Sequence, residues 1–300
     1  VPEGDVVRRT AIRLDTALAG RPLLDADLRW PGLGTADLAG APVLEVASRG
    51  KHILTRLGTG WTLRSHLRME GAWFVQPTPA GAAAAVHPAR RVPGQVRRRP
   101  VRAVLMGPEW TCLGLRLGML DLVRTADEGT LIGHLGPDVL DPGFDAERAV
   151  ANLAAGGQTI GEALMDQRRL AGIGTLWACE TLFAERVHPW TRSAELPAAV
   201  LARLVARARR FITAGVEQAV QSSTGDRRPG RETYVHARSG RPCRRCGRTV
   251  RVAMIGPPSR ERTMFYCPGC QGGLAPTDDG APLAPLGARV RGATGRERSR

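Results

Sequence analysis

Two short stretches near the end of the chain decide how it reads: Pro242-Cys243-Arg244-Arg245-Cys246-Gly247 and Tyr266-Cys267-Pro268-Gly269-Cys270-Gln271. Each sets two thiols on one tight knuckle, and twenty residues separate the knuckles. Two such knuckles complete a tetrahedron around one zinc ion, and four protein ligands leave no open position, so the metal is structural. Redox or unliganded thiols are the competing reading of a CxxC pair. The module also carries Arg244, Arg245, Arg248, Arg251, Arg260 and Arg262, so a β-hairpin there could offer cations to phosphates. Cys112 and Cys179 lie in apolar surroundings and read as core thiols.

Working outward, the composition agrees with a nucleic-acid partner. The net charge is +15 over 300 residues, with 43% hydrophobic content. An excess of that size favours a polyanion, because each neutralised phosphate releases condensed counterions. An Arg-rich codon background is the bland alternative. Of 43 cationic residues one alone is lysine, Lys51. An ammonium is a compact point charge and a guanidinium a planar fork, so a site that keeps Lys among so many Arg has a steric reason to do so. No run of apolar residues is long enough for a membrane span. The opening residues include Glu3 and Asp5 and show no apolar leader, and six cysteines with four in one cluster do not read as a secreted disulfide framework. The expected compartment is the cytoplasm, in association with the nucleoid, and the expected state is a monomer.

The texture changes along the chain. Residues 3–19 predict a helix, with Val6, Ile12, Leu14 and Leu18 at roughly helical spacing and Gly20 as a stop. From about 22 to 125, short apolar runs at 43–46, 52–55, 61–64, 72–75 and 101–105 alternate with Gly, Pro and Asp, which predicts an antiparallel β domain. Residues 77–100, rich in Pro, Ala, Gly and Arg, read as a flexible insertion. Apolar positions three and four apart predict helices at 146–153, 160–170, 176–185 and 198–220. The division is therefore 1–130 for the N-terminal domain, 131–223 for a helical domain and 234–272 for the cysteine module, with 273–300 as a disordered basic tail. The fold class is α+β, multidomain.

Two further motifs carry chemistry. Leu170-Ala-Gly-Ile-Gly-Thr175 is a glycine-rich turn between helical stretches. It could bring backbone N–H groups at a helix start to a phosphate, or it could be a plain packing joint. The N-terminus reads Val1-Pro2-Glu3-Gly4-Asp5. If Val1 is an initiator that is removed, Pro2 offers a secondary amine, which is partly unprotonated at neutral pH and can act as a nucleophile, with Glu3 beside it to move protons.

Together these pieces resemble the formamidopyrimidine-DNA glycosylase and endonuclease VIII family, in its endonuclease VIII-like, actinobacterial-type branch. The resemblance rests on Pro2-Glu3-Gly4, on Ser48-Arg-Gly-Lys-His-Ile-Leu54, which is similar to the catalytic-lysine hairpin, and on Ser65-His-Leu-Arg-Met-Glu-Gly71. It continues through His134-Leu-Gly-Pro-Asp138, Gly172-Ile-Gly-Thr-Leu-Trp-Ala-Cys-Glu180 with Val187-His-Pro189, His236-Ala-Arg-Ser-Gly-Arg-Pro-Cys243, and Arg262-Thr-Met-Phe-Tyr-Cys-Pro-Gly-Cys-Gln271. Four positions depart from the pattern. Thr175 stands where Asn is usual, Val6 where a second acid is usual, and His236 where Tyr is usual. Leu113-Gly-Leu-Arg-Leu-Gly118 takes the place of the loop that helps fill the hole left by a flipped base.

The resemblance implies an N-terminal antiparallel β-sandwich preceded by a helix, then a helix–two-turn–helix domain and a zinc finger holding one structural ion through Cys243, Cys246, Cys267 and Cys270. It implies a bifunctional DNA glycosylase and AP lyase of base excision repair, acting on oxidised bases, pyrimidines by branch. Pro2 would form a Schiff base and strand cleavage would follow by β,δ-elimination. It gives catalytic roles to Pro2, Glu3, Lys51 and Arg262, and DNA contacts to Met69 as a wedge and to Gly172, Thr175 and Arg238. The substrate would be damaged DNA, double-stranded, single-stranded or in a bubble. A catalytically silent damage sensor of the same fold is the alternative, and a zinc-ribbon RNA-binding or transcription protein is a more distant one.

Overall fold

A computed structural model describes residues 2–79 and 100–286. Helix α1 (Gly4–Leu18) opens the chain and buries Val7, Ala11, Leu14 and Leu18, at steps of four, three and four residues. Leu14 and Leu18 lie inward as expected, but Val6 is only half-buried and Ile12 is 48% exposed; Val7 and Ala11 take their places on the inward face, and the small side chain of Ala11 lets the helix approach the sheet.

Eight strands follow: β1 (Asp25–Leu28), β2 (Val43–Arg49), β3 (His52–Leu57), β4 (Trp61–His66), β5 (Ala72–Pro77), β6 (Val101–Met106), β7 (Trp110–Leu115) and β8 (Met119–Arg124). They form two antiparallel four-stranded sheets, ordered β2-β3-β4-β8 and β1-β6-β7-β5. Their inner faces share one core with α1, in which Leu14, Ile53, Leu63, Leu105 and Cys112 are fully buried. The five expected strands lie inside observed ones, and β1, β7 and β8 are additional. Within the segment 113–118, Leu113 and Leu115 belong to β7 and 116–118 form the turn into β8, in which Leu117 is buried and Arg116 turns outward, at φ +46°. Of the expected insertion 77–100, residues 80–99 lie outside the described residues, as does Val1.

After the short helix α2 (Gly129–Ile132), the helical half comprises α3 (Ala146–Ala154), α4 (Ile160–Met165), α5 (Thr175–Ala184) and α6 (Ala198–Glu217). Helix α4 starts in a capping box, with Thr159 and Glu162 exchanging bonds. It ends five residues before the expected limit because Asp166 leaves the helical region, and its carboxylate accepts from the Arg168 N–H to form a turn. The chain closes with β9 (Arg251–Ile255) paired to β10 (Arg262–Tyr266) and with α7 (Pro268–Gln271).

The cysteine module has no core of its own. Val250, Ile255, Met264 and Phe265 belong to the same buried cluster as Trp177, Cys179 and Phe183 of α5. Buried Glu180 of α5 binds the run leading into the module, accepting N–H groups from Tyr234 (2.8 Å), Val235 (2.9 Å) and His236 (2.8 Å) and the Ser223 hydroxyl. The expectation of disorder from residue 273 fails for 273–286. Tyr266 donates its hydroxyl to Asp278, Arg251 pairs with Asp278, Ala275 is buried, and Leu286 N–H reaches the Ser239 carbonyl. The five Arg of the expected basic tail lie at 289 and beyond, outside the described residues. No helix among the described residues is long and apolar enough to cross a membrane.

Candidate active site

The start of α1, the β2–β3 hairpin and the turn before α5 meet at one point. Glu3 is 2% exposed, and its carboxylate sits at the N-terminus of α5, accepting N–H groups from Gly174 (2.8 Å) and Leu176 (2.7 Å), with Trp177 at 3.4 Å. A helix N-terminus carries unpaired N–H groups and partial positive charge, which a carboxylate satisfies. Gly4 N–H donates to the Gly172 carbonyl at 2.9 Å, so residues 3 and 4 are stitched to the turn side by side.

This corrects the expected use of that turn. The Gly172 N–H donates to the Gln167 side chain (3.0 Å) and the Gly174 N–H to Glu3, so both point inward and not to a phosphate. Gly172 lies at φ +102°, a backbone state that L side chains avoid. Gly174 is required for space: a Cβ there would lie 2.5 Å from Glu3 Cδ and 2.8 Å from Lys51 Nζ. That same closeness places the one lysine against the Glu3 carboxyl.

Lys51 reaches this position from the tip of the β2–β3 hairpin. Gly50 turns the chain at φ +56°, and its N–H donates to buried Asp138 at 2.7 Å. Arg49 pairs with Asp141 at 2.8 Å. The hairpin tip is therefore fixed from the segment that enters the helical half. Burial pushes the Glu3 carboxyl above its ordinary value, against the opposing pull of Lys51 and the α5 N–H groups. Burial lowers the Lys51 ammonium, Glu3 opposes this, and Arg262 lowers it further. The charge of Arg262 thus reaches Lys51, which in turn faces Glu3, although the three lie far apart in sequence.

Pro2 precedes Glu3 and is half-buried. Asp5, next to the position where a second acid is usual, is buried and accepts both contacts from Gln221 Nε2 at 2.9 Å, so it ties α1 to the segment after α6. His66, quoted in the motif but given no role, lies close enough to Lys51 for that charge to lower its pKa; burial is the larger cause, and together they bring it to about 4. Its ring meets His52 edge-on at 4.9 Å. Three residues on, Met69 is 66% exposed at the tip of the β4–β5 turn. That turn is closed by Gly71, where a Cβ would stand 2.4 Å from the Leu67 carbonyl oxygen, and Arg116 pairs with the neighbouring Glu70. Thr175, at the first turn of α5, is half-buried, with its hydroxyl 3.7 Å from Met165 Sδ.

The arginines of the cysteine module divide by partner. Arg245 lies over the Phe183 ring at 4.3 Å, Arg244 donates to the Gly230 and Thr233 carbonyls, and Arg251 pairs with Asp278. Arg260 and Arg262 remain exposed and border a cleft with Met165, Gln167 and Arg168. Arg238, expected on DNA, is instead 8% exposed, and its guanidinium donates to the carbonyls of Pro242 (3.0 Å), Thr233 and Tyr234 (3.4 Å each). His236 packs on Phe265 at 5.2 Å, which accounts for a ring where Tyr is usual.

The thiol groups of Cys243, Cys246, Cys267 and Cys270 all lie within 4.8 Å of one another. The pairs Cys246–Cys267 and Cys243–Cys270 stand 3.4 and 3.9 Å apart. Thiolates about 2.3 Å from a tetrahedral centre lie roughly 3.8 Å apart, so the four can hold one metal ion.

Because Lys51 is the sole lysine, a 13C-methyl label on its amine reports that group by NMR without overlap from other lysines. It is expected to titrate below the ordinary lysine value, to rise in Arg262→Ala and to fall further in Glu3→Gln. Titration at the ordinary value, unmoved by either change, would mean that the three groups do not share a site.

Comparison with known proteins agrees with this architecture. Residues 1–99 match the formamidopyrimidine-DNA glycosylase N-terminal domain, and residues 135–226 match the formamidopyrimidine-DNA glycosylase H2TH domain. The chain is 45% identical over 281 residues to a probable endonuclease 8 2 of Streptomyces coelicolor, covering 93% of this chain and 97% of that one. It is 36% identical over 272 residues to a DNA-(apurinic or apyrimidinic site) lyase of Mycolicibacterium smegmatis, covering 90% and 99%. In three dimensions it resembles the Lactococcus lactis formamidopyrimidine-DNA glycosylase bound to DNA containing an AP site, with a TM-score of 0.73 at 20% identity over 90% of this chain and 100% of that one. With both halves matched and relatives aligned over nearly their whole length, the chain belongs to the formamidopyrimidine-DNA glycosylase and endonuclease 8 family.

Proposed function

We propose that this protein is a bifunctional DNA glycosylase and AP lyase of base excision repair, excising oxidised bases, pyrimidines foremost, from damaged DNA. The observation that carries the reading is the seating of Glu3, directly after Pro2, at the start of α5 and against the sole lysine. The Streptomyces coelicolor and Mycolicibacterium smegmatis relatives bear the names of a probable endonuclease and an AP-site lyase. The Lactococcus lactis enzyme is bound to abasic-site DNA.

On this reading 1–130 is the catalytic unit, 131–223 and 234–272 grip the duplex, and the protein acts as a monomer at the nucleoid. The damaged nucleotide leaves the stack, since its C1′ cannot be attacked inside it, and Met69 enters the vacated space. Pro2, freed by removal of Val1, attacks C1′ through its nitrogen lone pair. The C1′–base bond breaks and the base departs with a proton. The nitrogen lone pair then opens the sugar ring: the C1′–O4′ bond breaks, O4′ takes a proton, and a positively charged iminium remains, which acidifies the C2′ proton. Loss of that proton expels the 3′ phosphate, a second elimination expels the 5′ phosphate, and water releases Pro2. Glu3 moves these protons; burial holds its carboxyl above the ordinary value, which favours the protonated form that can give one. Lys51, Thr175 and Arg262 hold the flanking phosphates. The four thiolates take one zinc ion, which supplies rigidity to the β9–β10 hairpin and no step of the reaction. A silent damage sensor is favoured by two features, Thr175 in place of the usual Asn and the altered segment 113–118.

Borohydride is expected to link the protein covalently to abasic-site DNA, with the adduct mapping to residue 2 and lost when Val1 is retained. An adduct elsewhere, or none, would sink the mechanism. Lys51→Arg and Gly174→Ala are both expected to cut turnover by about 100-fold or more, because neither a guanidinium nor a methyl group fits between Glu3, Lys51 and the turn; wild-type turnover in either would remove the steric argument. Chelation of the metal is expected to abolish DNA binding and, through it, cleavage, as read by fluorescence anisotropy. Metal-free protein that still bound normally would undo the role given to the thiolates.

A further inference from the structure

Among the described residues, four guanidinium groups line one surface cavity of 570 Å³ behind the first cysteine knuckle: Arg231, Arg238, Arg241 and Arg244, walled by Pro242 and Pro285. No carboxylate is among the residues lining it. Arg231, Arg241 and Arg244 are exposed, while Arg238 is the buried floor. Three contacts to carbonyl oxygens fix the Arg238 guanidinium, and its Nε is buried without a hydrogen-bond partner. A buried donor left unpaired is costly, and like charges gathered without a counter-charge repel. Burial and the charges of Arg244 and Arg241 all act against the Arg238 cation, and Glu180 only partly offsets them. Arg244 is itself held in place by the Gly230 and Thr233 carbonyls, so two of the four arginines are fixed before any ligand enters. A cavity lined by four cations and no acid suits an oxyanion: the buried Arg238 Nε is an unpaired donor, and the exposed side chains of Arg231 and Arg241 add guanidinium N–H groups.

We propose that this cavity is a phosphate-binding site, separate from the Lys51 and Arg262 group. The phosphate comes either from a DNA strand running past the lesion or from a free phosphate group in solution. The proposal does not rest on the catalytic reading, since it is read by binding alone.

The test uses the full-length protein and the double variant Arg231→Ala/Arg241→Ala, which removes two exposed side chains outside the catalytic group. Inorganic phosphate and pyrophosphate are titrated by calorimetry at fixed ionic strength against a chloride control. Wild-type protein is expected to bind one phosphate group, and the double variant about tenfold or more weaker. A second arm measures DNA affinity against salt. If DNA is the source, saturating duplex displaces the phosphate, and the log–log salt slope falls by about one in the variant. If free phosphate is the source, duplex and phosphate bind together and the slope is unchanged. Equal phosphate binding by wild type and variant, or none by either, overturns the site. Borohydride trapping on abasic-site DNA is run in parallel: retained trapping with no phosphate site defeats this proposal alone, while loss of trapping in wild type defeats the catalytic reading alone.

Discussion

The Glu3 carboxylate at the N-terminus of α5 is the contact on which the rest of the molecule turns. It accepts N–H groups from Gly174 and Leu176, across more than 170 residues of sequence. Hydrogen bonds to a charged group are worth about 1.5–3 kcal/mol each, and the helix dipole adds to them. Placing Pro2 therefore depends on folding a helix that belongs to the other half of the chain. The arrangement commits the Gly174 N–H to Glu3 and the Gly172 N–H to Gln167.

The same device recurs twice. Asp138 accepts the Gly50 and Leu140 N–H groups and fixes the hairpin that carries Lys51. Glu180 gathers three consecutive N–H groups ahead of the cysteine module and sets where that module begins. In each case one buried carboxylate satisfies backbone donors of a distant segment, which water would otherwise have to serve. Glu3 and Glu180 sit at the first turn and the middle of one helix, so α5 registers the start of α1 against the cysteine module. In a chain of net charge +15, several of its acids are thus internal fasteners.

The cationic residues sort by a similar logic. Arg49, Arg64 and Arg251 face carboxylates, and Arg245 lies on an aromatic ring. Arg260 and Arg262 stay exposed at the end of the hairpin. In sequence these residues look alike. Their difference arises from what the fold brings opposite them, which also explains why Arg238, grouped with the DNA contacts by its motif, turns out to be a buried floor.

Several features were legible in the sequence because they depend on local chemistry. The two cysteine knuckles, the strand runs, the helical texture after 131 and the single lysine all follow from spacing and composition. The phase of α1 was not legible, since a stripe of Val7, Ala11, Leu14 and Leu18 competes with one through Val6 and Ile12, and only the sheet beneath it chooses. The early end of α4 and the packed course of 273–286 were missed for the same reason: Asp166 and Asp278 act through partners that local pattern does not name. The family resemblance supplied a set of candidate residues but not their duties. The sequence by itself determined which groups are available: a proline next to a carboxylate, one ammonium and four clustered thiols. Only the tertiary structure decided that Lys51 faces Glu3 and that the Gly172 and Gly174 N–H groups turn inward, because charge and hydrogen bonding act over a few ångströms in space and take no account of distance along the chain.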